Sequence, residues 1–156
     1  MKAFNVPRRT RVERASALPV DRRGESRRVP QPPCGGARAL AGAAAKGAET
    51  ELVHLYDHDF TGCVSCFACK KIGGKSYGRC AVNDGLAPIL EKAAGADILL
   101  LGTPVYFGAE TGEMRSFLER LLFQFLTYTP DYASLFPGRL RVGLVYTMNV
   151  PEQYLP

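Results

Sequence analysis

One apolar run, residues 97–102 (DILLLG), constrains the fold of this chain more than any other segment. The apolar residues in this run are continuous rather than alternating, which is typical of a β-strand that is covered on both faces. After an intervening loop, residues 113–126 (EMRSFLERLLFQFL) have helical periodicity with one broad apolar face. A doubly covered strand beside an amphipathic helix predicts a parallel sheet with helices packed against it.

The same alternation of strand and helix extends to both sides of this unit. Strand patterns occur in ELVHLY at 51–56 and LRVGLVYT at 140–147, and MKAFNV at 1–6 is a candidate first strand. Helical composition and spacing occur in ARALAGAAAK at 37–46 and LAPILEKAAG at 86–95. The sequence therefore predicts an α/β fold with a doubly wound parallel sheet of about four strands.

The N-terminal segment departs from this alternation. Residues 1–45 carry Lys2 and nine arginines against three acidic residues, so their net charge is +7 and that of the remainder is −2. Residues 7–36 combine arginine pairs and prolines with hardly any periodic apolar residue, so they cannot bury enough surface to offset the entropy of ordering. We expect residues 7–36 to be irregular within a single domain that spans residues 1–156.

Composition also limits the compartment and the partners. The five cysteines are mostly clustered, and the chain shows no secretory signal and no apolar run long enough to span a bilayer. We therefore expect a cytoplasmic protein without membrane contact. A basic N-terminal tail can bind nucleic acid, but the lack of interleaved aromatic residues and of a binding module argues against that function here.

Four cysteines lie in one short segment after the strand pattern at 51–56: Cys63, Cys66, Cys69 and Cys80. The first three have C-x2-C-x2-C spacing, and ten residues separate the third from the fourth. This spacing lets thiolates converge on a [4Fe–4S] cluster, while four thiolates also satisfy a zinc ion, and free thiols can act without metal. Lys70, Lys71 and Lys75 are expected to lower the pKa values of these thiols, which helps all three interpretations.

Three loops with informative residues each follow a predicted strand, at 61–80, 103–112 and 147–150. The carboxyl ends of parallel strands lie at one edge of a sheet, and ligands of such sheets bind at that edge. The sequence therefore predicts one site formed by these three loops.

Four segments, in this order, resemble one known family: LYD at 55–57, GCVSCFACKK at 62–71, GTPVYFG at 102–108 and TGEMRSFLERL at 111–121. Together they resemble the flavodoxin-like NAD(P)H-dependent FMN reductases, and within that group the branch that contains the iron–sulfur flavoproteins. The resemblance extends from residue 43 to residue 151. It implies a flavodoxin-like sheet.

The resemblance also implies a site for FMN. It predicts that the flavin ring contacts the loop after the 97–102 strand and is flanked by the end of the next strand, which gives these cofactor-binding candidates: Thr103, Pro104, Val105, Tyr106, Phe107, Gly108, Thr147, Met148 and Asn149. The loop chemistry agrees, because Pro104 fixes the backbone and Gly108 admits the edge of a flat ring. Tyr106 and Phe107 supply surface for stacking.

The function implied by the resemblance is that of an FMN-dependent oxidoreductase or electron-transfer flavoprotein. Electrons would come from NAD(P)H or from a ferredoxin-type protein, and a [4Fe–4S] cluster on the four cysteines would relay them singly. Members of the family often form homodimers. The alternative is a non-catalytic, cysteine-rich module that binds zinc or senses redox state without flavin.

The chain departs from the family pattern near both ends. The family carries a phosphate-binding loop directly after its first strand, resembling GSPR followed by N-T, but only Pro7 and Arg8 match it here. A reading-frame disturbance between residues 5 and 42 would explain this difference, and so would a divergent N-terminus whose arginines hold the phosphate. We expect weak FMN binding. No fifth strand is evident before Pro156, which predicts an open sheet edge.

Overall fold

The computed structural model describes residues 9–14, 35–151 and 153, which contain one parallel sheet. Its strands are β1 (Arg9–Arg14), β2 (Glu49–His54), β3 (Ile98–Pro104) and β4 (Arg141–Thr147). Their spatial order is β2-β1-β3-β4, and every neighbouring pair is parallel. This is the order of the first four strands of a flavodoxin-like sheet. The predicted α/β fold with a doubly wound parallel sheet is therefore confirmed.

Three helices cover the sheet: α1 (Gly35–Ala44), α2 (Ala87–Ala94) and α3 (Gly112–Phe125). Helix α1 packs against β1 and β2. Because β2 and β3 lie on opposite sides of β1, right-handed crossovers place α1 on one face and α2 and α3 on the other. None of the described helices has both the length and the apolar character that a membrane span requires.

The main core lies between the sheet and the helices α2 and α3. It consists of buried side chains from β2, β3, these helices and the adjoining turns: Val53, Leu55, Leu86, Ile89, Leu90, Ala93, Leu99, Leu101, Met114, Phe117 and Leu121. Along β3, buried residues alternate with half-buried ones, so neither face of this strand is open to water. The apolar run at 97–102 is thus enclosed on both sides, as its pattern predicts.

Hydrogen bonds shift several element bounds by two or three residues from the predicted ones. Strand β2 ends at His54, because Leu55–Asp57 forms a 3-10 turn in which the N–H of His58 donates to the carbonyl of Leu55. Helix α2 begins one residue later than predicted. Leu86 is the N-cap residue, and its own N–H donates to Oδ1 of Asp84 at 3.1 Å.

The prediction that residues 7–36 are irregular is wrong for Arg9–Arg14, which forms the inner strand β1. This strand pairs with β2 on one side and β3 on the other, so the backbone groups of β1 are satisfied on both sides. Its sequence, RTRVER, has no apolar run, and periodicity therefore gives no strand signal. The candidate strand at 1–6 and most of the segment predicted to be irregular lie outside the described residues.

Strand β4 forms one edge of the described sheet and has an exposed apolar face. Val142, Leu144 and Tyr146 are each more than half exposed. They are in register with Leu99, Leu101 and Thr103, so they lie on the face that α2 and α3 cover further along the sheet. Within the described residues no strand pairs with the outer edge of β4.

Candidate functional site

The carboxyl ends of the strands bring the predicted site residues to one edge of the sheet. The cysteine segment follows β2, the loop 105–111 follows β3, and Met148 follows β4. The strand order reverses between β1 and β3, which is where such sheets bind ligands. The segment that follows β1, residues 15–34, lies outside the described residues.

The loop after β3 is a tight turn whose tip points away from the sheet. The backbone N–H of Tyr106 donates to the carbonyl of Ala109 at 2.9 Å, and the N–H of Ala109 donates back at 3.1 Å. Between them Phe107 and Gly108 both have positive φ, 53° and 80°, as a type I′ turn requires. Phe107 is an aromatic residue in a left-handed conformation, which is strained for any residue other than glycine.

The surface of this turn is apolar and open. Phe107 is fully exposed, Tyr106 is half exposed, and Met148 at the end of β4 is also exposed. The backbone N–H groups of Phe107 and Gly108 donate no hydrogen bond to the described part of the chain. Aromatic surface beside free backbone donors fits the ring of a flavin, which combines a flat apolar face with polar edge atoms.

Thr103 anchors the turn from below. Its side chain is buried, and its Oγ1 accepts the backbone N–H of Thr111 at 3.2 Å. This bond ties the end of β3 to the residue that precedes α3. Thr103 therefore positions the loop, and its side chain faces the interior rather than the exposed surface of the turn.

The end of β4 lies beside the same turn. The N–H of Val105 donates to the carbonyl of Thr147 at 2.9 Å, which joins the two loops through their backbones. Thr147 and Asn149 are exposed, whereas Pro104 and Val105 are half-buried. The structure thus brings together the candidate residues that follow β3 and β4, and it separates the exposed ones from the buried Thr103.

Tyr56 lies next to this edge, on the turn that follows β2. Its hydroxyl interacts with Glu113 and Thr111 at the start of α3. Burial, the hydrogen bond to Glu113 and the negative charge of that carboxylate raise the pKa of Tyr56 to about 12. The phenol is therefore a neutral hydroxyl at ordinary pH.

The four cysteines line one small pocket. Cys69 is buried, Cys63 and Cys80 are half-buried, and Cys66 is exposed. All four are free thiols. Among the described residues, no three histidine, cysteine or acidic side chains meet closely enough to hold a single metal ion. The thiols thus share the lining of one pocket without meeting at one point.

Helix α3 is the scaffold of this cysteine pocket. The backbone N–H of Cys80 donates to Oε1 of Gln124 at 2.9 Å, and that of Cys63 donates to Oε2 of Glu119 at 3.3 Å. Lys70 binds the C-terminal end of the same helix, with its Nζ 2.6 Å from the carbonyl of Leu126. Polar side chains of α3 and Lys70 therefore fix the loop at several points.

The backbone between the cysteines is locally strained. Ser65 and Phe67 have φ values of 53° and 56°, in the left-handed region. The Phe67 ring packs against Phe123 and Tyr128, with centroid distances of 5.8 Å to each. These aromatic contacts offset the strain and cover one side of the cysteine pocket.

A buried ion pair closes the base of the cysteine loop. Arg120 is 2% exposed, and its Nη1 lies 2.6 Å from Oδ2 of Asp84. The same guanidinium donates to the carbonyls of Thr61 and Val82, at 3.2 Å and 3.0 Å. Burial by itself raises the pKa of Asp84, but the hydrogen bonds from Arg120 and the Leu86 N–H hold this pKa below its usual value.

Lys70 lowers the pKa of Cys69, as the sequence predicts. Burial is the larger effect, and it leaves the pKa of this thiol raised. The same Lys70 ammonium is bound to the carbonyls of Phe123 and Leu126.

Sequence patterns do not identify Arg120 and Gln124 as site residues. They are spaced four apart on α3, next to the apolar positions Phe117 and Leu121. Polar residues that interrupt an apolar helix face are the signal that could reveal them. The pattern does not say what they contact, since their partners lie 36 or more residues earlier in the chain.

Comparison with known proteins places this geometry in context. A model of the NADPH-dependent FMN reductase family matches residues 36–140. This match covers more than half of the chain and includes the cysteine segment, the loop after β3 and all of α3.

Two curated relatives are iron–sulfur flavoproteins. That of Methanocaldococcus jannaschii is 35% identical over 82 residues, which are 53% of this chain and 40% of the relative. That of Archaeoglobus fulgidus is 38% identical over 74 residues, which are 47% of this chain and 34% of the relative. The matched regions thus span well under half the length of these relatives.

Two solved structures share the fold. The crystal structure of RosB with a bound formylriboflavin-phosphate intermediate has a TM-score of 0.59 at 20% identity, and the alignment covers 92% of this chain and 53% of RosB. A flavone reductase has a TM-score of 0.52 at 14% identity, with 89% of this chain and 43% of the reductase covered. At these identities the likeness concerns the fold alone.

Proposed function

This chain belongs to the NADPH-dependent FMN reductase family, and we propose that it is an FMN-dependent oxidoreductase or electron-transfer flavoprotein with a [4Fe–4S] cluster. The observation that carries the proposal is that one helix serves both candidate sites. Helix α3 begins directly after the turn at Tyr106–Ala109, and its last two turns line the cysteine pocket. A flavin on the turn and a cluster in the pocket would therefore share one rigid support.

The turn after β3 would hold the ring of FMN. Tyr106 and Phe107 would stack on or beside the ring, Met148 would flank it, and the free N–H groups of Phe107 and Gly108 would donate to its edge. Thr103 and Thr147 keep the turn in place. When bound, FMN supplies the ability to exchange either two electrons or one, and the chain supplies position and polarity.

The cysteine pocket would hold the cluster through Cys63, Cys66, Cys69 and Cys80. In a [4Fe–4S] cluster each thiolate binds a different iron, so the four sulfurs surround a volume, whereas the four ligands of zinc converge on a single atom. Four thiols around one pocket resemble the first arrangement. The names of the two curated relatives favour the same cofactor.

The partners follow from this chemistry. NAD(P)H or a ferredoxin-type protein would donate electrons, and the chain would act in the cytoplasm as a single domain, either alone or as a homodimer. The phosphate of FMN would have to be held by the segment after β1. Its sequence lacks the family's phosphate loop, so we propose that FMN binds weakly.

The proposal is tested on the protein after anaerobic reconstitution with iron, sulfide and FMN. We expect a visible spectrum with both flavin and iron–sulfur absorption, about four irons per chain as the cluster requires, and oxidation of NADPH. A colourless protein that binds zinc but does not bind FMN would instead indicate the cysteine-rich module.

The coding sequence upstream of residue 43 tests the hypothesis of a reading-frame disturbance. An intact phosphate loop in another reading frame would confirm that hypothesis.

A further inference from the structure

The guanidinium of Arg120 has one N–H group, at Nε, that donates neither to Asp84 nor to the loop carbonyls. Its two terminal nitrogens bind Asp84, Thr61 and Val82, but its Nε has no hydrogen-bond partner among the described residues. The side chain is almost completely buried, so water cannot satisfy this N–H. A buried donor without a partner is unfavourable, and here it lies beside the cysteine pocket.

The pocket that Arg120 lines also holds Cys80. Cys80 is held there by the bond from its backbone N–H to Gln124. The guanidinium interacts with the Cys80 side chain, and its Nε makes no hydrogen bond within the described part of the chain.

We propose that Arg120 is a positioning residue for the fourth cluster ligand, and that its Nε–H donates a hydrogen bond to the Cys80 sulfur when that sulfur binds iron. This inference rests on the proposed cluster. A hydrogen bond to a ligating sulfur stabilises the negative charge that a cluster gains on reduction, so it raises the reduction potential.

Because of Asp84, Arg120 is expected to change the reduction potential of the cluster through the hydrogen bond alone, and not through its charge. The carboxylate balances the guanidinium charge from the side of Nη1, so the pair as a whole is neutral. Arg120 therefore contributes an N–H donor to the pocket, and its bonds to Thr61 and Val82 hold that donor in place. The influence of Arg120 on Cys80 is therefore local, and it depends on the shape of the guanidinium rather than on net charge.

The test removes the donor without changing the net charge. The double variant Asp84→Asn/Arg120→Met replaces the buried ion pair with a neutral pair of similar size, a change that proteins often tolerate. The control is Arg79→Met/Glu91→Gln, which removes an ion pair that is exposed although Arg79 adjoins Cys80 in sequence. Each full-length protein is reconstituted with iron and sulfide, its iron content is measured, and its potential is determined by spectroelectrochemical titration.

We expect all three proteins to bind equal iron. The potential of Asp84→Asn/Arg120→Met should be lower by at least a tenfold change in the one-electron equilibrium constant, about 59 mV, while the control should match the wild type. Equal potentials for the test variant and the control would overturn the inference about Arg120, but they would not contradict the proposed cluster. A wild type that binds no iron would overturn the cluster and the inference together, and the iron assay detects this before any potential is measured.

A second variant tests the proposal if the double variant does not fold. Arg120→Lys keeps the buried charge beside Asp84, but an ammonium group cannot serve Asp84, Thr61 and Val82 and also reach Cys80. Its potential should shift in the same direction as that of the double variant. A folded Arg120→Lys protein with the wild-type potential would contradict the proposed hydrogen bond.

Discussion

The Nζ atom of Lys70 lies 4.1 Å from the centroid of the Phe123 ring and donates to the Phe123 carbonyl. A second hydrogen bond, 2.6 Å long, joins the same Nζ to the carbonyl of Leu126. Carbonyls at the end of a helix have no partner within the helix. One side chain of the cysteine loop therefore caps α3 and completes a cation–π contact with it.

Lys70→Met should destabilise the fold and loosen the cysteine loop. Methionine keeps the volume but leaves the half-buried Leu126 carbonyl without the Lys70 donor, which costs about 1–3 kcal/mol. The Phe123 carbonyl loses one donor and keeps the N–H of Leu126. Urea denaturation measures the loss, and alkylation of the buried Cys69 should become faster. Lys71→Met is the control, because Lys71 is exposed at the next position. Equal stability of the two variants would contradict the capping role of Lys70.

Asp84→Asn should be the most destabilising of these single substitutions. It keeps the shape of the side chain but leaves the buried Arg120 charge without its counterion, which costs about 3–5 kcal/mol. The exposed pair of Arg79 and Glu91 provides the comparison, since Glu91→Gln should cost about 1 kcal/mol or less. Chemical denaturation at neutral pH distinguishes these values. Similar losses for both would show that burial of the Arg120–Asp84 pair has no energetic consequence.

Thr103→Val should weaken FMN binding through the loop rather than through lost contact. Valine has the shape of threonine but cannot accept the N–H of Thr111, and a buried donor without a partner costs about 1–3 kcal/mol. Thr103→Ser retains the hydroxyl and should behave more like the wild type. Flavin titration and thermal denaturation measure the two effects. Wild-type affinity and stability in Thr103→Val would show that this bond does not hold the turn.

Phe107→Gly should stabilise the flavin-free protein and weaken FMN binding. Glycine adopts positive φ without strain, which stabilises by about 1 kcal/mol, but it removes the aromatic surface that we assign to the ring. Tyr132→Gly is the matched control, because Tyr132 also has positive φ and is exposed. It should stabilise the protein without changing FMN affinity. Unchanged affinity in Phe107→Gly would exclude Phe107 from the flavin site.

Tyr56→Phe should change the alkaline end of the stability profile. The folded-state pKa of Tyr56, about 12, lies above the unfolded value of 10.0, because burial and Glu113 oppose ionisation. The contribution of the neutral Tyr56 side chain to the free energy of unfolding is therefore fully present below pH 10 and is lost as the pH rises towards 12. Tyrosinate absorbance should show a late titration step that disappears in Tyr56→Phe and persists in Tyr128→Phe. Persistence of that step in Tyr56→Phe would assign it to another tyrosine.

Local sequence patterns identified most of the elements and the edge of the sheet where the site lies. The continuous apolar run of β3 and the amphipathic α3 both follow from the periodicity of apolar residues within each segment. Periodicity did not predict strand β1. Its place between β2 and β3 depends on backbone pairing, which the charged sequence RTRVER does not reveal.

The sequence by itself determined the alternation of elements, the cysteine spacing and the chemistry of the turn after β3. Only the tertiary structure decided which side chains share an environment. It buried Arg120 against Asp84 in the lining of the cysteine pocket, bound Lys70 to the end of α3, and placed Thr103 beneath the turn instead of on its surface. The physical reason is that propensity and periodicity act over a few residues, whereas burial and hydrogen bonding depend on partners that are distant in the chain.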